Sequence, residues 1–254
     1  MGATSRGLWS TALSVTATLI VCVALWWLLA LLTDAPYVPT PLAVGLAFAQ
    51  SLRGDLLMHL HASLLRVVAA LALSLVAGIP AGLALGRVPR LNAALAPFIY
   101  LTFPVPKIVF LPILLMALGL GDAPKVALIF LTLVYQITVT TRDAAGSLPA
   151  SALSSIESLG ATRFQTFRHV TLPYCMPSVL TGLRISIGTA VAILFFAESF
   201  ATSEGLGYMI MDAWGRADYA SMYAGMAAMS LLGLGLYLLV DVAQKLICPW
   251  LKWQ

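Results

Sequence analysis

Few side chains in this chain could do covalent or metal chemistry, and their spacing removes most of them. The three histidines are His59, His61 and His169. The first two fall in a segment read as external, and the third lies in a polar internal stretch. None has partners at metal-ligand spacing. Cys22, Cys175 and Cys248 are far apart, odd in number and inside or beside apolar runs, so they read as packing residues rather than a disulfide framework. No G-x-x-x-x-G-K-[ST] phosphate loop is present, so ATP cannot be held here by that mechanism. A G-x-S-x-G elbow is also missing, which argues against an intramembrane hydrolase. The expectation is a non-catalytic chain with no cofactor and no metal of its own.

A second group of residues could act on a solute without changing it. Lys107 follows a Pro104-Val105-Pro106 break, and a cation beside broken helix backbone could attract an anion or could snorkel outward. Tyr135, Gln136, Thr138 and Thr140 give one apolar run a polar tint, suited either to a pathway or to interhelical hydrogen bonds. Glu198, next to Ser199, stands near the end of another run, as a gate residue or a simple end-of-helix carboxylate. Arg184 flanks the same run and reads as an anchor. The candidate pathway set is Pro104, Pro106, Lys107, Gln136, Thr138, Glu198 and Ser199.

The elements that must position these residues are membrane helices. The chain is 61% hydrophobic and 9% charged, against about 25% charged in a soluble domain. The net charge of +4 is strung between apolar runs rather than gathered on one face, which excludes nucleic-acid binding. A bilayer core needs about 20 helical residues. Spans are expected at 10–32, 64–86, 93–118, 125–141, 175–198 and 221–246. The first run is about twice the length of a signal peptide's apolar region, so it reads as a retained span. The third is too long for one upright helix, and Pro104, Pro106 and Pro112 are expected to break it. Gly78, Gly82 and Gly86 share one face of the second span, for close packing within the subunit or against a second copy. Residues 36–63, which include Pro39-Thr40-Pro41, are expected to lie outside rather than to form a seventh span. Trp250 and Trp253 beside Lys252 read as an interfacial anchor.

Six spans put both termini on one side. Arg6, Arg87, Arg90, Arg142, Arg163, Arg168, Lys245 and Lys252 fall there, against Arg53, Lys125 and Arg216 opposite. Eight against three places the termini and the 142–173 loop in the cytoplasm.

That loop contains Glu157 to Pro173, a polar, Arg-bearing stretch between apolar ones. Gly160 is expected to break it into two short helices, and Pro173 to stop the second. Phe164, Phe167 and Val170 recur at helical spacing, with Arg163, Gln165 and Arg168 off that stripe. An amphipathic helix pair in a cytoplasmic loop predicts docking of a partner there.

Gly160, nine residues, then Val170-x-Leu172-Pro173 resembles the EAA loop of the permease subunits of bacterial ATP-binding-cassette importers. Pro177–Arg184, Gly205-Leu206-Gly207, Ser63-Leu64-Leu65-Arg66, Gly78–Gly82 and Pro104–Lys107 with Leu111-Pro112 are similar to the nitrate, taurine and aliphatic-sulfonate branch of that family, in order across residues 37–250. The resemblance implies an all-α, polytopic membrane bundle of about six spans with a cytoplasmic coupling helix pair, as in type I importer permeases. It implies one permease domain over 1–254, with a first span and an external segment carrying an interfacial helix over 1–60 and a core bundle over 61–250 that includes the 142–173 loop. The implied partners are two cytoplasmic ATPase subunits carrying ATP and Mg, an extracytoplasmic solute-binding protein, a second copy of the chain and the lipid bilayer. The implied ATPase-coupling residues are Glu157, Gly160, Arg163, Phe164, Phe167, Arg168 and Pro173. One departure stands out. Ser154-Ser155-Ile156 replaces Glu-Ala-Ala, leaving Glu157 as the nearest carboxylate, about one helical turn along. The alternative reading is an ion-coupled secondary transporter, which would show inverted repeats and midplane charges.

Overall fold

The computed structural model describes residues 3–250, with side chains from Thr16 onward. Among the described residues there are helices and no strands. The helices are α1 (Ala3–Thr33), α2 (Pro41–Ser51), α3 (Leu56–Arg87), α4 (Pro89–Thr102), α5 (Leu111–Leu118), α6 (Asp122–Gly146), α7 (Ala150–Ser158), α8 (Arg163–Thr166), α9 (Leu172–Glu198), α10 (Leu206–Gly215) and α11 (Tyr219–Ile247). A 3₁₀ turn over Lys107–Phe110 precedes α5, and a π-helical turn over Phe167–Thr171 joins α8 to α9. Five runs are long and apolar enough to cross a membrane: Thr16–Thr33, α3, α6, Arg163–Glu198 and α11. A sixth is bent by 83° between α4 and the 107–118 stretch. Prolines explain the bend. Pro104 and Pro106 donate no backbone N–H, and a segment that leaves its carbonyls unpaired must find other donors.

The chain forms two compact units. One comprises Met1–Leu57 and Met209–Ala227, the other Met58–Tyr208 and Ala228–Gln254. In the first, α1 exposes Leu19, Ile20, Leu28 and Leu31, the surface expected of a lipid-facing helix. Trp26 stacks on Tyr223 at 5.9 Å. Thr40 caps α2 by accepting from the Ala43 N–H, with Pro41 at the helix start, where a missing N–H costs nothing. Asp218 caps α11. Hydrogen bonding by Ser221, first its hydroxyl and then its backbone N–H, holds the Asp218 carboxyl below its usual range. Its contribution is therefore present at neutral pH and lost as pH falls through that lowered value.

The second unit is built on α6 against α9. Leu128, Ile129, Leu133, Ile137 and Thr141 form the buried stripe of α6; Val179, Leu183, Ile187, Ala190 and Leu194 form that of α9, both at helical spacing. In lipid the hydrophobic effect does not drive two helices together, so close backbone approach must. Glycine provides it. A Cβ on Gly78 would lie 2.9 Å from Ile137, one on Gly82 2.6 Å from the Thr138 carbonyl, and one on Gly86 2.5 Å from the Arg142 carbonyl. The glycine face of α3 therefore packs on α6 within the subunit. Gly182 of α9 meets Thr140 in the same way, at 2.8 Å. Gly82→Val should destabilise the helix bundle by about 1–3 kcal/mol through overpacking, read as a lowered thermal midpoint in detergent.

Two expectations need correction. α3 begins at Leu56, so His59 and His61 are helical and not part of an external loop; the described helix outside α3 in that segment is α2. Pro173 does not stop the second short helix. The Leu172 N–H donates to the Phe167 carbonyl five residues back, and this π-register absorbs Pro173 in the first turn of α9, so helix runs on from Arg163 to Glu198. α10 is a short helix that the span pattern does not announce. Lys252 and Trp253 lie outside the described residues, as does the side chain of Arg6; Trp250 is exposed.

Candidate functional site

Three groupings in the second unit carry the functional geometry. The first is the connection from α6 to α9. α7 ends at Ser158, and Gly160 takes φ 79°. A Cβ on Gly160 would meet nothing within 4 Å, so the turn is set by backbone alone. The Gly160 N–H donates to the Glu157 carbonyl at 2.9 Å. Thr162 and Gln165 then form a reciprocal capping box that starts α8. Helical spacing places Gln165 off the apolar stripe and says nothing of this cap; the Thr-x-x-Gln spacing is the signal that could have revealed it. In a polar segment, Leu159 is 84% exposed, Phe164 67% and Phe167 40%. Arg163, Arg168 and Glu157 are exposed beside them. Ser154 and Ser155 turn their hydroxyls back onto the Ala150 and Ser151 carbonyls, so neither presents a donor outward. A non-Gly residue at φ 79° is strained by about 1–2 kcal/mol, so Gly160→Val should reorient this turn and lower the thermal midpoint in detergent while leaving membrane insertion intact. An unchanged midpoint would contradict the need for glycine at this turn.

The second grouping is a cavity of 350 Å³ beside the α4–α5 break, lined by residues that include Pro106, Lys107, Thr132, Tyr135, Gln136 and Thr189. The Lys107 ammonium donates to the carbonyls of Thr102 and Phe103, the latter at 2.8 Å, and sits 4.6 Å from the Tyr135 ring centroid. Lys107 thus caps the carbonyls freed where α4 ends, as a cation at a helix C-terminus should; it does not snorkel outward. Of the remaining pathway candidates, Pro104, Thr138, Glu198 and Ser199 do not line this cavity. The Thr138 carbonyl faces Gly82, and the Ser199 hydroxyl bonds the Phe195 carbonyl.

The third grouping gathers residues far apart in sequence. Glu198 is fully buried at the end of α9. Its carboxylate accepts from Arg66 at 2.7 Å, from the Ser63 hydroxyl at 2.7 Å and from the Gly207 N–H at 2.9 Å. Arg66 also donates to Asp122 at 2.6 Å and to the Glu204 carbonyl at 2.9 Å. The Leu206 N–H donates to Ser63 at 2.8 Å, and the Gly205 N–H to His59 Nδ1 at 3.2 Å. Lys125, also buried, donates to the Leu120 and Gly121 carbonyls at 3.2 and 2.9 Å. Gly205 has φ 115°, and a Cβ there would fall 2.4 Å from the Glu198 carboxyl carbon. The network therefore requires glycine at that point. It ties α3, α6 and α9 to the segment entering α10. Glu198 faces neither a vestibule nor the bilayer. The motif likenesses at 63–66 and 205–207 marked both sides of this network, but nothing in one sequence pairs positions 132 residues apart. Near the middle of α9, Arg184 pairs with Asp241 at 3.2 Å and lies 5.5 Å from the Tyr237 ring, which ties α9 to α11.

Among the described residues no His/Cys/Asp/Glu group could hold a metal ion. Comparison with known proteins agrees with a transport role. Residues 74–253 match the family described as binding-protein-dependent transport system inner membrane component. The chain is 32% identical over 241 residues to the taurine transport system permease protein TauC of Escherichia coli (strain K12), covering 92% of this chain and 88% of that protein. It is 27% identical to the putative aliphatic sulfonates transport permease protein SsuC of Bacillus subtilis (strain 168), covering 91% and 84%. Its fold matches a chain of the inward-facing MetNI methionine ABC transporter with a TM-score of 0.64 at 16% identity, over 76% of this chain and 95% of that one. The fold, the six apolar runs and these matches converge: the chain belongs to the binding-protein-dependent transport system inner membrane component family and is a multi-pass inner-membrane permease subunit of an ABC importer.

Proposed function

We propose that two copies of this chain form the pathway of an ATP-driven importer for a small organic or inorganic anion, with both termini cytoplasmic. Two ATPase subunits, which bind ATP and Mg and perform the hydrolysis, dock on residues 150–171, and an extracytoplasmic binding protein delivers the solute. The observation that carries this reading is the run from the exposed Phe164–Phe167 face into α9 without a helix break. A rod of 36 residues, Arg163–Glu198, is about 50 Å long. Displacement of its docking end must therefore move the Glu198 end, and an ATPase that closes beneath it biases the two states of the bundle. The relatives' names for aliphatic-sulfonate and nitrate transport support a small anion as the solute.

Reconstitution with the cognate ATPase and binding protein, followed by uptake of a panel of small anions, tests the reading. ATP hydrolysis stimulated by loaded binding protein, with uptake of at least one anion, is expected. Stimulated hydrolysis without uptake of any anion would reject the substrate class. Glu157→Gln should weaken ATPase binding by no more than about 1 kcal/mol, because an exposed carboxylate contributes little. A larger loss, diminished by salt, would assign Glu157 the role of the missing family carboxylate.

A further inference from the structure

A second recess, of 510 Å³, lies where α6 begins and α9 has ended, at the ends of both helices remote from the 150–171 connection. Arg66, Gly121, Asp122, Lys125, Ser203 and Glu204 are among its lining residues, and it shares none with the cavity beside the α4–α5 break. Two of these side chains are cations withdrawn from solvent: Arg66 is 4% exposed and Lys125 1%. They are compensated differently. Arg66 forms salt bridges to Asp122 and Glu198. Among the described residues Lys125 forms none, and its ammonium donates only to the Leu120 and Gly121 carbonyls. Two carbonyl dipoles do not cancel a full charge, and a buried charge ordinarily has a counter-ion.

Donors are left over as well. Lys125 has used two of its three N–H groups. Arg66 has used three of its five, on Asp122, Glu198 and the Glu204 carbonyl, so the two on Nη2 have no acceptor among the described residues. From this arrangement we infer that the recess binds one small inorganic anion, chloride or an oxyanion of similar size, as the counter-ion of Lys125. The ion accepts from the remaining Lys125 N–H and from Arg66 Nη2. It is a fixed part of the fold, distinct from the transported solute, and because Arg66 also holds Glu198 it steadies the end of α9.

The test is the thermal midpoint of the full-length permease in detergent, read by tryptophan fluorescence. Chloride replaces gluconate, a much larger anion, at constant ionic strength. A saturable rise is expected, roughly 3 °C at ten times the apparent Kd, and nitrate should reproduce it. Lys125→Met removes the charge that needs compensation, so the chloride response should disappear whether that variant's own midpoint is higher or lower. Glu204→Gln removes an exposed like charge from the same recess and keeps the backbone carbonyl that Arg66 uses. It should tighten the apparent Kd roughly threefold, and it carries the test alone if Lys125→Met does not fold. No response in the native chain, a saturable response that persists in Lys125→Met, or a Kd unchanged or weakened in Glu204→Gln overturns the site. A response to nitrate without one to chloride would make the recess a station for solute and overturn the counter-ion assignment.

Discussion

Glu198→Ala should cost about 3–5 kcal/mol of permease stability and sharply reduce the yield of folded protein. The side chain is fully buried, and its removal strands Arg66, which is 4% exposed and keeps only Asp122 as a charged partner. It also leaves the Ser63 hydroxyl and the Gly207 N–H without their acceptor. The cost is that of uncompensated buried donors rather than of one lost attraction. Glu198→Gln should fall between the variant and the native protein, since an amide fills the space and still accepts one or two of these bonds. Arg66→Ala should cost a similar amount to Glu198→Ala, and the double variant should cost clearly less than the sum, because the second removal relieves the charge that the first stranded. Thermal unfolding of the purified variants in one detergent measures all four. Strict additivity would show that the two side chains act independently and would contradict the network.

The paired change Phe164→Ala with Phe167→Ala should weaken ATPase binding by about 3 kcal/mol, roughly a hundredfold in Kd, while the membrane bundle stays folded. Both rings are exposed in the isolated chain and neighbour each other on one face of α8 and the π turn, so their removal deletes no described core packing. Aromatic anchors of this kind dominate interfaces when they fill a partner's pocket. Titration of ATPase onto nanodisc-embedded permease gives the affinity directly, and native affinity in the double variant would move the docking surface elsewhere.

Much of the fold was legible in the residues themselves. The runs of apolar side chains gave the spans, the four-residue spacing of Gly78, Gly82 and Gly86 gave a close-packing face, and Pro104 with Pro106 gave the break. Each of these is a local rule, set by side-chain size, periodicity or a missing N–H. Pro173 misleads because a π turn that ends two residues earlier changes the hydrogen-bond register, and register is not written in residue type. The start of α3 was missed for a different reason. His59, Ser63 and Arg66 look like the polar approach to a span, yet they are helical because their polar groups meet Glu198 and the Gly205–Gly207 amides. In the site, Gly160 was readable from its permissive backbone. Lys107 was not, since its task as a cap depends on carbonyls that only the bent backbone brings beneath it.

Solute uptake into liposomes carrying the permease, its ATPase and binding protein decides most directly whether residues 150–171 couple ATP hydrolysis to transport. With ATP on the ATPase side and no ion gradient, the native complex should accumulate solute, and the Phe164→Ala/Phe167→Ala complex should not, although its ATPase still hydrolyses ATP. Accumulation driven by an ion gradient without ATP, or native uptake in the double variant, would contradict it.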